Sequence, residues 1–162
     1  MADVDRAQVY AAELAAFDGT DLEDVVGVAV VSGAIDSVVG GAWWPGRTVR
    51  VVAARSDARS SSTRCSLEEG SVAEIRIADP QATVATGAHE LAHALAGVVH
   101  GHDGLYRRAH LDVVGVMTNL DRVSGRGDVH VEQLRSAYRA AGLSVADRQW
   151  PEPSPPGGAI AL

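Results

Sequence analysis

The stretch TGAHELAHALAGVVHGHDGLY, from Thr86 to Tyr106, decides the fold and holds four of the chain's six histidines. Within it, His89, Glu90 and His93 spell the pattern H-E-x-x-H. Residues four apart on an α-helix share one face and are separated by about 6 Å along its axis, so both imidazoles can reach one cation. Glu90 lies one position further round the helix, where a carboxylate contacts a metal-coordinated water without becoming a ligand. The pattern predicts a metal-bearing helix with Glu90 as general base.

A catalytic zinc takes three protein ligands and keeps one position open, so one more donor is required. On a continued helix His100 would lie about 10 Å further along the axis than His93, too far for the same ion. His102 follows Gly101 and precedes an Asp-Gly pair, where the chain can turn back. We therefore favour His102 as the third ligand of one zinc ion per chain. His100 remains the alternative ligand and otherwise forms the wall or outer shell of the site.

The other soft or nitrogen donors fit ordinary structural roles. His110 and His130 are expected to be solvated histidines on helices. Cys65 is the chain's one cysteine and lies in a polar, serine-rich stretch far from the histidines, so we expect it to be a bystander. Helical spacing around Met117 indicates a core methionine rather than the Met-turn of a metzincin.

The segment that carries the motif is composed to be buried. Five of its residues are small and allow other backbone to approach closely: Gly87, Ala88, Ala92, Ala94 and Ala96. Leu91, Leu95 and Val99 add apolar packing surface. We predict that this helix begins at Asp79, as N-cap, with Pro80 at its first position, and extends to Val99.

The remaining elements predict an α+β fold with a small sheet. A first helix is expected over residues 4 to 17, with Val9, Ala12, Leu14 and Ala16 on its apolar face. Strands are expected in TVRVVAARS and SVAEIRIAD, with a polar connection between them and AEIRIA as an edge strand along which a peptide can lie. The glycine-broken apolar segment VVGVAVVSGAIDSVVGGAWW fits a helix or a buried strand.

Two further helices are expected after the motif, in LYRRAHLDVVGVMTNL and in VHVEQLRSAYRAAG, where Gly142 ends the second. DRVSGRGD is the loop between them. The length of 162 residues suits one domain. We place it at residues 1–148, followed by a flexible proline-rich tail at residues 149–162.

Composition restricts location and partners. The formal net charge is −7, and all 14 basic residues are arginine. Nucleic-acid affinity comes mainly from a basic face, so we expect no duplex-binding surface. No apolar run approaches the roughly 18 residues of a membrane span, and the N-terminus lacks the features of a signal peptide, so a cytoplasmic location is expected.

The segment HELAHALAGVVHGHDGLYRRA resembles the active site of SprT-like zinc metallopeptidases, where H-E-x-x-H is followed by H-G-P-E-F or a close variant. HDGLY occupies that second position but has DGL in place of GPE. The resemblance implies a zincin-like fold, His89, His93 and His102 as ligands, and Glu90 as base. Further segments, including RAQVYAAE and LRSAYRAAGL, are similar to a small actinobacterial family of metallohydrolases.

These observations predict a zinc-dependent hydrolase, in the simplest case a metallopeptidase acting on a peptide or protein. Tyr106 and His100 are candidates for the outer shell or for stabilising the oxyanion, and Tyr138 and Arg107 are further oxyanion candidates. The rival hypothesis is a non-catalytic metal-binding or peptide-binding module of the same fold. Glu90 argues against the rival, because a closed structural site has no use for an acid there.

Overall fold

A computed structural model describes residues 3–66, 68, 70–119 and 126–153, with backbone alone at 126–128. Within these residues the chain forms five α-helices and a three-stranded sheet, which makes the fold α+β as predicted. The helices are α1 (Arg6–Phe17), α2 (Val28–Val39), α3 (Val84–Ala96), α4 (Gly104–Thr118) and α5 (Arg126–Ala140), and the strands are β1 (Val49–Ala53), β2 (Ser62–Arg64) and β3 (Ala73–Ile77).

The sheet has the order β1-β3-β2, with β1 parallel and β2 antiparallel to β3. The prediction that AEIRIA is an edge strand is therefore wrong, because β3 has a neighbour on both sides. Ala73, Ile75 and Ile77 are fully buried and pack into the core, as expected for alternating residues of a strand covered on one face. The missed strand β2 lies within the segment predicted to be only a polar connection, and it forms one edge of the described sheet.

Helix α3 begins later and ends earlier than predicted. Asp79 and Pro80 start a separate 3-10 turn over Asp79–Gln81, and Thr83 is the N-cap of α3, accepting a hydrogen bond from the Thr86 backbone N–H. The helix ends at Ala96, because Gly97 takes a φ of 98°. Its predicted burial is confirmed for most of its length, including Ala88, Leu91 and Ala92.

The small residues of α3 allow a close helix contact. A Cβ added at Gly87 would lie 2.8 Å from Cγ1 of Val31 in α2. The ambiguous apolar segment is thus a helix, and it packs directly against α3. Met117 is a buried core residue, as predicted.

Helix α1 packs along α5, and α4 packs along both α3 and α5. The buried face of α1 contains Val9, Ala12, Ala16 and Phe17. Leu14, predicted to belong to this face, is exposed over 59 % of its surface. Glu13 projects inward in its place, with a side chain only 13 % exposed.

The last helix is found where it was predicted, but it begins earlier in the sequence than expected. Helix α5 begins at Arg126, inside the predicted loop, and residues 121–125 of that loop lie outside the described residues, as does Leu120, the last residue of the helix predicted before it. Gly142 follows the helix with a φ of 72°, as expected for a stop.

The domain's contacts continue past the predicted boundary at residue 148. Trp150 donates its indole N–H to Asp112, and the Pro151 carbonyl accepts from Trp43. The rest of the predicted tail, 154–162, lies outside the described residues. Among the described residues, no helix is both long and apolar enough to span a membrane.

Candidate metal centre

Helix α3 and the loop that follows it bring three histidines together. Nε2 of His89 lies 3.2 Å from Nε2 of His93 and 3.3 Å from Nε2 of His102. Donor nitrogens of all three residues lie within 4.8 Å of one another. The predicted proximity of His102 to the H-E-x-x-H pair is therefore found, and the three residues are close enough to bind one metal ion.

The spacing of these nitrogens fits zinc. Zinc–nitrogen bonds of about 2.0–2.1 Å at tetrahedral angles put neighbouring nitrogens about 3.3–3.4 Å apart. The two Nε2 separations above, 3.2 and 3.3 Å, are within about 0.2 Å of this length. The donor set also fits, because three neutral imidazoles with a nearby carboxylate are typical ligands and neighbours of catalytic zinc.

Two glycines turn the chain so that His102 returns to the pair. Gly97 ends α3, a 3-10 turn spans Val98–His100, and Gly101 follows with φ 54° and ψ −123°. Side chains with a Cβ rarely adopt positive φ, so both positions favour glycine. Without this break His102 would continue along the helix axis away from His89.

The inner side of the centre rests on a buried carboxylate of α1. Glu13 accepts from Nδ1 of His89, with oxygen–nitrogen distances of 2.9 and 3.0 Å. Tyr106, fully buried on α4, donates its hydroxyl to the same carboxylate at 3.0 Å and lies 2.7 Å from Nδ1 of His89. The Tyr106 ring also contacts the rings of all three histidines.

A second carboxylate holds the third histidine. Oδ2 of Asp3 pairs with Nδ1 of His102, and Oδ1 accepts from the His102 backbone N–H at 3.3 Å. Arg107 supports the same loop by donating to the His102 carbonyl at 2.8 Å and to Asp5 at 2.9 Å. On α1, the Tyr10 ring stacks on the His89 ring, with centroids 5.3 Å apart.

Burial and neighbouring charges separate the protonation behaviour of the three histidines. For His89, burial lowers the pKa, but the Glu13 carboxylate outweighs burial and raises the pKa above its usual value. Burial, with the neighbouring His89 and His102 charges, lowers the pKa of His93 to about 2. Burial also lowers the pKa of His102, although its hydrogen bond to Asp3 opposes the shift. At neutral pH, His93 and His102 are therefore neutral and offer lone pairs.

Glu90 is buried next to His89 and is not part of the triad. The Thr63 hydroxyl on β2 lies 2.7 Å from Oε2 of Glu90 and 2.9 Å from its backbone carbonyl oxygen. Burial raises the pKa of Glu90 above its usual value, against the opposing effects of His89 and Thr63. A carboxylate with a raised pKa, oriented by a hydroxyl next to a metal site, is suited to accept and return a proton.

The remaining residues that were predicted for the outer shell or for stabilising the oxyanion differ in how accessible they are. Tyr106 contacts His89 from the inner side and is inaccessible to a substrate, so it belongs to the outer shell and not to an oxyanion site. Nδ1 of His100 pairs with Oδ2 of Asp103 at 2.9 Å, away from the triad. Tyr138 and Arg107, the other oxyanion candidates, are both buried.

The prediction that His110 and His130 are solvated is wrong, because they are 0 % and 7 % exposed. His110 joins the network around Glu13, with Nδ1 3.2 Å from Oε1 of Glu13 and 2.8 Å from the Tyr138 hydroxyl. It lies one helical turn after Tyr106, on the same face of α4.

Sequence reasoning missed Glu13, Asp3 and Thr63. Glu13 lies between Val9 and Phe17 in a row of positions four apart, and a carboxylate inside a buried helical row is a signal for a buried partner. Asp3 and Thr63 give no such signal, because Asp3 precedes the first helix and Thr63 lies in a serine-rich segment.

Comparison of the chain with protein-family models, with curated proteins and with solved structures finds no match in any of the three. The resemblance to SprT-like metallopeptidases therefore stays a prediction that depends on the motif residues alone.

Proposed function

We propose that this protein is a zinc-dependent hydrolase of zincin-like architecture, and that it hydrolyses peptide bonds with Glu90 as general base. The observation that carries the proposal is the convergence of His89, His93 and His102, whose donor nitrogens lie within 4.8 Å of one another, with a buried non-ligand carboxylate next to His89. A structural zinc site is normally closed by four protein ligands, whereas three ligands suit a catalytic site.

His89, His93 and His102 would hold the ion through Nε2. When bound, zinc supplies a Lewis acid that lowers the pKa of a coordinated water toward about 7. Glu90 accepts a proton and later returns it to the leaving amine. Thr63 orients the Glu90 carboxylate by holding Oε2. Tyr10, 43 % exposed and stacked on His89, forms part of the accessible wall.

A peptide is supported as substrate by the position of β2. This strand is at the edge of the described sheet, and its Thr63 touches Glu90. An extended peptide that adds to such an edge makes main-chain hydrogen bonds and lies beside the proposed base. The strand proposed to pair with a peptide is therefore β2, and not AEIRIA as predicted from the sequence.

Three variants test the proposal. Glu90→Gln keeps size and removes the proton acceptor, so zinc should stay bound while cleavage of a peptide found by a broad screen falls by about 10²-fold or more. His102→Ala should weaken zinc binding strongly, because three ligands become two. His100→Ala is the matched control and should retain zinc.

Zinc stoichiometry by elemental analysis and cleavage rate are measured side by side on the wild type and these variants. A wild-type protein that stays metal-free at neutral pH after zinc is offered would disprove the metal site. Full activity in Glu90→Gln would disprove the proposed base. Metal binding without any cleavage of a broad peptide library would favour the non-catalytic module.

A further inference from the structure

Two of the three histidines contact carboxylates of the N-terminal segment. Glu13 on α1 contacts Nδ1 of His89, and Asp3, before α1, contacts Nδ1 of His102. Neither carboxylate belongs to the helix or the loop that carries the histidines. Helix α1 packs mainly along α5. Glu13 therefore links α1 to α3, and Asp3 links the residues before α1 to the loop that follows α3.

We propose that Asp3 and Glu13 are positioning residues of the metal centre, and that docking of residues 3–17 and metal binding are coupled. The inference rests on the proposed metal site and names the part of the chain that controls its affinity.

The coupling follows from imidazole chemistry. A neutral imidazole carries one proton, and a ring that binds a metal through Nε2 must carry it on Nδ1. A carboxylate opposite Nδ1 accepts this proton in a hydrogen bond, which fixes both the tautomer and the ring orientation. With Glu13 and Asp3 in place, the Nε2 atoms of His89 and His102 face each other at 3.3 Å. Such an arrangement favours a shared cation.

The carboxylate of Glu13 is itself held by other groups. Tyr106 donates to it at 3.0 Å, and Nδ1 of His110 lies 3.2 Å from it. Three polar groups from α3 and α4 therefore converge on one side chain of α1. A carboxylate oriented by this many neighbours holds the His89 ring in one position.

The loop around His102 is shaped for Asp3. A Cβ placed on Gly101 would lie 3.0 Å from Cγ and 3.1 and 3.2 Å from the oxygens of Asp3. Only glycine leaves the space for this approach without displacement. The backbone N–H of His102 also points at the same carboxylate. This loop thus meets Asp3 through backbone and side chain together.

By linkage, a metal ion that binds better when residues 3–17 are docked must also stabilise the docked segment. The alternative is that both carboxylates make ordinary structural ion pairs. In that case their loss would lower the stability of the metal-free protein and leave metal affinity unchanged. The two explanations therefore differ in a measurable quantity.

The experiment uses full-length wild type, Glu13→Gln, Asp3→Asn and the double variant. Asp18→Asn is the matched control, since Asp18 is an exposed carboxylate at the end of α1. Zinc affinity is measured by competition with a chromophoric chelator at neutral pH. Each single variant should bind zinc about 10- to 100-fold more weakly, and the double variant about 10²- to 10⁴-fold. The control should stay within threefold of the wild type.

Two readouts separate positioning from stability. The visible absorption bands of the Co²⁺-substituted protein should change in Glu13→Gln and Asp3→Asn, because the histidine rings reorient. Zinc should slow amide hydrogen exchange in residues 6–17 of the wild type and much less in the double variant. Urea denaturation of the metal-free proteins shows how much stability each variant loses.

Glu13→Gln leaves several donors facing one acceptor and can prevent folding, whereas Asp3 is 30 % exposed and Asp3→Asn is expected to fold. Asp3→Asn then decides the question. If the wild type binds zinc and Asp3→Asn binds it within threefold, with unchanged Co²⁺ bands, the inference is wrong and the proposed function stands. A wild type that binds no zinc would refute the proposed function itself.

Discussion

Replacing Gly101 by alanine tests the turn that brings His102 to the other histidines. Gly101 has φ 54° and ψ −123°, a conformation that alanine adopts only with strain. Such strain costs about 1–3 kcal/mol. Alanine also makes the unfolded chain stiffer, which stabilises a protein by about 0.4–1 kcal/mol, but only where alanine fits the native backbone conformation, and Gly101 is not such a position. We expect the metal-free protein to lose about 1–3 kcal/mol of unfolding free energy. The added Cβ must also displace Asp3, from which it would be 3.0 Å away.

The displacement of Asp3 gives Gly101→Ala a second effect, on metal affinity. We expect zinc binding to weaken about 10- to 100-fold, equal to about 1.4–2.8 kcal/mol. Gly142→Ala is the control, because Gly142 also has positive φ, at 72°, but no atom within 4 Å of an added Cβ. Urea denaturation and chelator competition are performed on both variants. If both lose stability and both keep wild-type zinc affinity, the close approach of Asp3 has no role in the metal centre.

Two further predictions concern pH and the proposed base. The pKa of His89 is raised above its usual value, so protonated His89 competes with the metal. Zinc affinity should be constant above that pKa and fall about tenfold per pH unit below it, and zinc binding near pH 6.5 should release more than about half a proton per ion. Calorimetry in two buffers of different ionisation enthalpy measures the release, and zinc affinity that is the same at about pH 5.5 and 7.5 would contradict it. Thr63→Val removes the hydroxyl that holds Glu90 and should lower kcat about tenfold or more, with zinc affinity unchanged. Thr63→Ser should restore kcat, and equal rates in all three proteins would show that the contact does not orient the base.

The sequence predicted the parts of the site that depend on local spacing. His89 and His93 lie four residues apart, and Gly101 and an Asp-Gly pair flank His102, so the helix and the return of His102 are readable from a short segment, although the end of the helix at Gly97 was not predicted. The α+β class and the strands β1 and β3 follow from alternating residues. In each case the sequence pattern and the element that it predicts lie within the same short segment of the chain.

The outer parts of the site could not be predicted, because they depend on distant contacts. Glu13 meets His89 across 76 positions, and Asp3 meets His102 across 99. Strand β2 has three residues, too few to show alternation, and it forms through pairing with β3. His110 was misjudged because a histidine on an isolated helix is normally solvated, and only the buried carboxylate of another helix gives it a partner.

Glu13 and Glu90 are both buried carboxylates near His89, but their pKa values are shifted in opposite directions. Burial by itself would raise the pKa of both Glu13 and Glu90, since the charged form loses hydration. For Glu13, the charges and hydrogen bonds of His89 and His110 outweigh burial and hold its pKa well below the usual value. Glu90 feels the charge of His89 as well, but its hydrogen-bond partner is the neutral hydroxyl of Thr63, and its pKa stays raised.

This difference matches the two proposed roles, because carboxylates whose pKa values are pushed apart can act as a fixed anion and as a proton carrier within one site. Glu13 stays ionised and, with Asp3, places two negative charges next to three imidazoles, which balances the charge of one divalent cation. Burying charges is tolerable only when they are paired in this way. Glu90 is therefore the carboxylate with a proton affinity suited to exchange, and the substitution of Glu13, unlike that of Glu90, should act on the metal before it acts on catalysis.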